Sequence, residues 1–254
     1  MAILELNFKS VCLAMQTSVT VILPETDALY HGSIPKYKTL YILHGLSNNH
    51  TTYVRNTNIE RYATEKGLAV VMPAADHSFY SNMVHGRDFF EFVSTELPHV
   101  MKNWFPLSDK KEDTFIAGHS MGGYGAFKVA LTFPEKFQAA ASMSGVMDIN
   151  YIIKEEEDCF ENFSTRAITG EMASQTGTEN DLFHLLETNL QNQVPLPALF
   201  QNCGTEDFLY EDNLRFRDFA LEKNAPLEYR EGPGDHDWDF WDKSIKEIID
   251  WLPL

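Results

Sequence analysis

Several things are scarce in this chain of 254 residues. Cysteine is one: Cys12, Cys159 and Cys203 make an odd number, and no pair has metal-ligand spacing. A disulfide framework is not expected, and Cys203, inside an apolar run, reads as a buried small hydrophobe. Basic residues are also few. Lys and Arg total 20 against 37 Asp and Glu, a formal net charge of −17. Such a surface repels phosphate backbones and anionic lipid, so neither nucleic acid nor membrane is an expected partner. No apolar stretch approaches the length of a membrane span, and Met1 to Phe8 lack a basic region followed by an apolar run. These absences predict a cytoplasmic protein. There is no repeat and no linker, so residues 1–254 are expected to form a single domain.

What is present has a clear order. Ile3, Leu4, Leu6 and Phe8, then Ser18 to Leu23, alternate as antiparallel edge strands do. Short continuous apolar runs follow: Thr39 to Leu43, Leu68 to Met72, Thr114 to Ala117, Phe137 to Met143, Ala198 to Cys203 and Leu227 to Tyr229. Runs of this kind suit strands covered on both faces, as in a parallel sheet. Helical periods lie between them. Phe90, Val93, Leu97, Val100, Met101 and Trp104 form one, with a kink expected at Pro98; Leu214 to Leu221 and Trp241 to Leu252 form others. The alternation predicts a doubly wound, mostly parallel α/β sheet, with ligands at the carboxyl ends of its strands. One connection, Ser144 to Leu196, is longer than a crossover helix needs. It is read as a helical cap insertion at about 146–195, over the site.

The strongest local signal is Gly118-His119-Ser120-Met121-Gly122-Gly123-Tyr124-Gly125, placed after an apolar run and before a helical period. This is the Gly-x-Ser-x-Gly nucleophile elbow of the α/β-hydrolase fold in the context it needs. The serine takes a strained conformation above the sheet, and a Cβ two residues before or after it would clash in the turn. A serine hydroxyl needs a base. Of nine histidines, His236 follows the last candidate strand, where this fold carries its catalytic histidine. The acid belongs after the penultimate strand, where Glu206 and Asp207 compete; Asp207 fits better, past the turn at the strand end. Two N–H groups should receive the oxyanion: Met121, after the nucleophile, and Leu46, in the His44-Gly45-Leu46-Ser47 loop. Gly45 permits that turn, and His44 props the loop. Gly45, Tyr124 and the cap residues Phe160 and Phe163 are the expected substrate-binding groups.

At these motifs the chain resembles the tributyrin esterase family, related to S-formylglutathione hydrolases and mycolyltransferases. The resemblance is carried by His44 to His50, Arg55 to Arg61, Gly118 to Gly125, Gly204 to Glu211 and Asp235 to Trp238. It departs from the family pattern at Asn48, where glycine is usual, and at Tyr53, where tryptophan is. The family implies a serine carboxylesterase for short acyl esters with no metal or organic cofactor, and a triad of Ser120, His236 and Asp207. Its partner would be a small ester substrate; a homo-oligomer is compatible with the sequence. An S-formylglutathione hydrolase-like thioesterase and a sugar-ester deacetylase use the same machinery and remain open alternatives.

Overall fold

The computed structural model describes residues 1–32, 35–153, 164–171 and 174–254. Eight strands form one sheet in the order β1-β2-β4-β3-β5-β6-β7-β8. They are β1 Ala2–Ser10, β2 Met15–Leu23, β3 Thr39–Leu43, β4 Ala69–Pro73, β5 Thr114–His119, β6 Ala139–Met143, β7 Ala198–Gly204 and β8 Leu227–Gly232. β1 pairs antiparallel with β2, and β2 antiparallel with β4; every other pairing is parallel. This is the open α/β-hydrolase sheet with antiparallel N-terminal edge strands.

The continuous apolar runs have a direct cause. Successive side chains of a strand point to opposite faces. Tyr41 and Leu43 of β3 join the core on one face, and Leu40 and Ile42 join the core on the other. Helices Ile59–Lys66 and Trp238–Trp251 cover the second face through Ile59, Tyr62, Ile245, Ile248 and Ile249. Helices Leu97–Trp104, Met121–Thr132, Leu182–Gln191 and Tyr210–Glu222 cover the first. Cys203 is fully buried in the sheet.

The helix expected from Phe90 to Trp104 is broken earlier than its proline. An α-turn at Phe89–Glu91 passes into a π-helical segment, Phe92–Glu96, before the α-helix Leu97–Trp104. Pro98 has no N–H for the carbonyl of Ser94, four residues back. Lys136 Nζ donates to that carbonyl instead, at 3.3 Å.

The long connection after β6 does two things. Val146 and Ile152, at its start, line the cavity beside Ser120. Its helix Leu182–Gln191 lies elsewhere: Phe183 packs edge-on against Phe216 and Phe219 of Tyr210–Glu222, and Asn189 Nδ2 donates to the carbonyl of Leu131. Phe160 and Phe163 lie outside the described residues. Among the described residues, no helix is long and apolar enough to cross a membrane.

Candidate active site

Six strand exits, those of β3 to β8, converge at the carboxyl edge of the sheet. β5 ends in the elbow. Ser120 takes φ 53° and ψ −122°, a conformation that costs an L-residue on the order of 1–3 kcal/mol unless its surroundings enforce it. They do. Ser120 N donates to Met143 O at 2.9 Å, and Ser120 O accepts from Tyr124 N at 3.2 Å and Val146 N at 3.3 Å. A Cβ on Gly118 would run into the backbone of Gly122, and one on Gly122 into the carbonyl of Leu43. Only glycine lets the turn close that tightly.

His236 reaches this serine from the exit of β8. Its Nε2 lies 3.0 Å from Ser120 Oγ. Its Nδ1 lies 2.9 Å and 3.0 Å from the two carboxylate oxygens of Asp207. The Asp207 side chain is 0% exposed and that of His236 17%. Asp207 Oδ1 also accepts from Leu209 N at 2.8 Å, which fixes the carboxylate after the turn at the end of β7. Because the carboxylate only accepts, Nδ1 carries the proton and Nε2 is free to take one from serine. Glu206, the competing acid, is turned away and accepts from Gly234 N. Asp237 caps the helix Trp238–Trp251 by accepting from Phe240 N at 3.0 Å.

The loop after β3 is held on every side. His44 Nε2 accepts from Ala75 N at 2.9 Å, so its Nδ1–H donates to Gly45 O at 2.8 Å. Burial pushes this imidazole down to about 4, so it is neutral and structural. Tyr80 Oη donates to His44 O at 2.8 Å, and Asn48 Nδ2 donates to Leu46 O at 2.9 Å. Among the described residues, neither Leu46 N–H nor Met121 N–H has a protein acceptor. Met121 opens the helix Met121–Thr132, where unpaired N–H groups attract negative charge.

His119 was not singled out from sequence beyond its position beside the serine. It is fully buried, and its Nε2 accepts from Gly45 N at 3.1 Å. Its Nδ1–H therefore donates to Tyr53 Oη at 2.8 Å. Burial holds this imidazole well below the usual histidine range, with His44 and His236 nearby adding to the effect. Its ring packs on Trp238 and Trp241. Trp241 also meets His236 edge-on at 4.9 Å, and its Nε1 donates to Ser144 Oγ at 3.2 Å. One indole thus braces both histidines.

A cavity of about 190 Å³ opens beside Ser120. Gly45 and Leu46 line it, together with Phe79, Val146, Ile152, Phe208, Leu209 and Trp241. Tyr124 does not, which corrects the sequence expectation. It is fully buried in the helix Met121–Thr132, its ring against Phe79 at 5.9 Å and its hydroxyl donating to Asn180 O at 2.8 Å. The helix turns Tyr124, four residues after Ser120, into the layer beneath the cavity, and Phe79 occupies the wall. Among the described residues, no three His, Cys, Asp or Glu side chains are gathered as a metal site requires.

Known proteins share this arrangement of chain. Residues 10–252 match the family described as putative esterase. An acetyl esterase of Caldicellulosiruptor saccharolyticus is 31% identical over 261 residues, covering 99% of this chain and 98% of that protein. Two Staphylococcus aureus structures are 43% identical, each covering 99% of this chain and 98% of theirs. One is the fluorophosphonate-binding serine hydrolase F in a substrate-bound form, with a TM-score of 0.93; the other is an S-formylglutathione hydrolase, with a TM-score of 0.91. These matches support the wider family that the sequence resemblance implied, without marking out a tributyrin esterase within it. The chain belongs to the putative esterase family and is a carboxylic ester hydrolase.

Proposed function

We propose that this chain is a serine carboxylesterase for short-chain acyl esters, with Ser120, His236 and Asp207 as its triad. The observation that carries the reading is the unbroken hydrogen-bonded relay from Ser120 Oγ through both nitrogens of His236 to Asp207. Ser120 Oγ attacks the ester carbonyl while His236 Nε2 takes its proton. Asp207 keeps the imidazole in the required tautomer and stabilises its cation. The N–H groups of Leu46 and Met121 receive the oxyanion, on a loop and a helix start that need no rearrangement. The tetrahedral species collapses, the alcohol leaves with the proton from His236, and the acyl group remains on Ser120. Water, activated by His236, then releases the acid and restores the serine.

The short-chain preference rests on size and polarity. The cavity is about 190 Å³, and its wall includes the buried side chains of Phe79, Val146 and Ile152. Acetyl to butyryl groups suit such a space. In this reading residues 1–254 are one catalytic domain, and the segment 146–195 is the cap whose first residues close the acyl side.

A thioesterase reading has one specific support, the 43% identity to an S-formylglutathione hydrolase. The 31% identity to an acetyl esterase supports deacetylation, of which sugar-ester deacetylation is one form. Hydrolysis of p-nitrophenyl acetate, butyrate, octanoate and palmitate by wild type and Ser120→Ala tests the proposal. S-formylglutathione and an acetylated xylose are run beside them. The expected result is turnover of acetate and butyrate, little of octanoate and palmitate, and none by the variant. Turnover of S-formylglutathione alone would replace the ester reading by the thioester one.

A further inference from the structure

The cavity beside Ser120 has two unlike sides. Phe79, Val146 and Ile152 are buried, whereas Phe208 is 57% exposed at the rim. Phe208 follows Asp207 directly, and its ring sits 4.6 Å from the His236 ring, centroid to centroid. In ester hydrolysis the departing oxygen takes its proton from His236 Nε2, so the group attached to it must lie on the histidine's side of the cavity. The acyl group is then left to the buried side.

We infer that Phe208 is the leaving-group platform, a specificity-determining residue that selects esters of neutral, apolar or aromatic alcohols. The inference rests on the esterase reading and names its substrate class. A flat ring open to solvent offers a face on which an aryl or alkyl leaving group stacks as it enters and departs. The electrostatics agree. Among the described residues lining the cavity there is no Lys or Arg, and the chain carries a net charge of −17. An anionic leaving group meets repulsion with no local cation to offset it.

The test measures kcat/KM for benzyl acetate and methyl acetate with wild type, Phe208→Ala and Phe208→Trp, by titration of released acid. The benzyl-to-methyl ratio should fall at least tenfold in Phe208→Ala, chiefly through KM for the benzyl ester, and should persist in Phe208→Trp. Wild type should also hydrolyse the acetate of 4-(hydroxymethyl)benzoate at least tenfold more slowly than benzyl acetate, with the gap narrowing as salt screens the repulsion. An unchanged ratio in Phe208→Ala, with both esters slowed alike, would show a ring that only positions His236 and would overturn the inference. Equal turnover of the anionic ester would overturn its charge component. Wild type inert on both neutral esters would overturn the esterase reading itself.

Discussion

His119 Nε2 accepts the backbone N–H of Gly45 at 3.1 Å, tying the residue before Ser120, the proposed nucleophile, to the residue before Leu46, the proposed oxyanion donor. The strand that delivers Ser120 therefore also sets the loop facing it. His119→Ala should lower kcat about 10- to 100-fold with KM little changed, short of the ~10²–10³ that follows loss of a whole oxyanion donor. His119→Gln, whose amide oxygen can accept from Gly45, should recover part of the loss. Steady-state kinetics on p-nitrophenyl acetate decides; a rise in KM at constant kcat would place His119 in ground-state binding instead.

Tyr53 Oη receives the other proton of His119 at 2.8 Å, in a fully buried contact. Tyr53→Phe leaves a buried N–H without its acceptor, which costs about 1–3 kcal/mol. Urea unfolding should show a lower midpoint with an unchanged slope. An unchanged midpoint would mean that the imidazole finds another partner.

Asp207 and Glu206 are adjacent carboxylates with different partners, His236 and Gly234 N. Asp207→Asn should lower kcat by roughly 10⁴, because the amide favours the wrong histidine tautomer. Glu206→Gln should change it by less than about threefold, since it only trades one acceptor for another on a surface turn. Comparable losses in both would contradict the division of roles.

Lys128 supplies a pH signature. Its buried ammonium donates to Ser81 Oγ at 2.8 Å, to Asn180 Oδ1 at 2.5 Å and to Tyr80 O at 3.3 Å. Burial pushes it down to about 7, against a smaller opposing pull from Glu179. The unfolded chain keeps this proton to about pH 10.4, so between about pH 7 and 10 the unfolded state binds more protons and stability from this site rises with pH. Below pH 7 both states are protonated and the site adds no slope. The unfolding free energy of wild type minus that of Lys128→Met should therefore grow from pH 7 to 9.5. A difference flat in pH would mean the ammonium keeps its ordinary affinity in the folded state.

Much of this was legible in the sequence, for reasons visible in the structure. Strands buried on both faces leave continuous apolar runs, so β3 to β7 stand out as segments. Ser120 and Asp207 each sit just past such a run, His236 follows the partly exposed edge strand β8, and the elbow glycines mark the turn by its steric demand. The cavity wall was not legible. Phe79, Val146, Ile152 and Phe208 come from three separate connections, after β4, β6 and β7, and only the folded sheet brings them together. Tyr124 misled because nearness to the elbow does not reveal which way a helix turns a side chain. His119 and Trp241 were hidden for another reason: each also reads as an ordinary strand or helix core residue, and its contact with the site crosses the sheet edge.

The most direct test of the account is to trap the acyl-enzyme. Wild type is mixed with p-nitrophenyl acetate, quenched in acid within the first turnover, digested and analysed by peptide mass spectrometry. The account predicts one acetyl group on the peptide carrying Ser120, absent from Ser120→Ala. Acetylation at another residue, or full activity in Ser120→Ala, would contradict it.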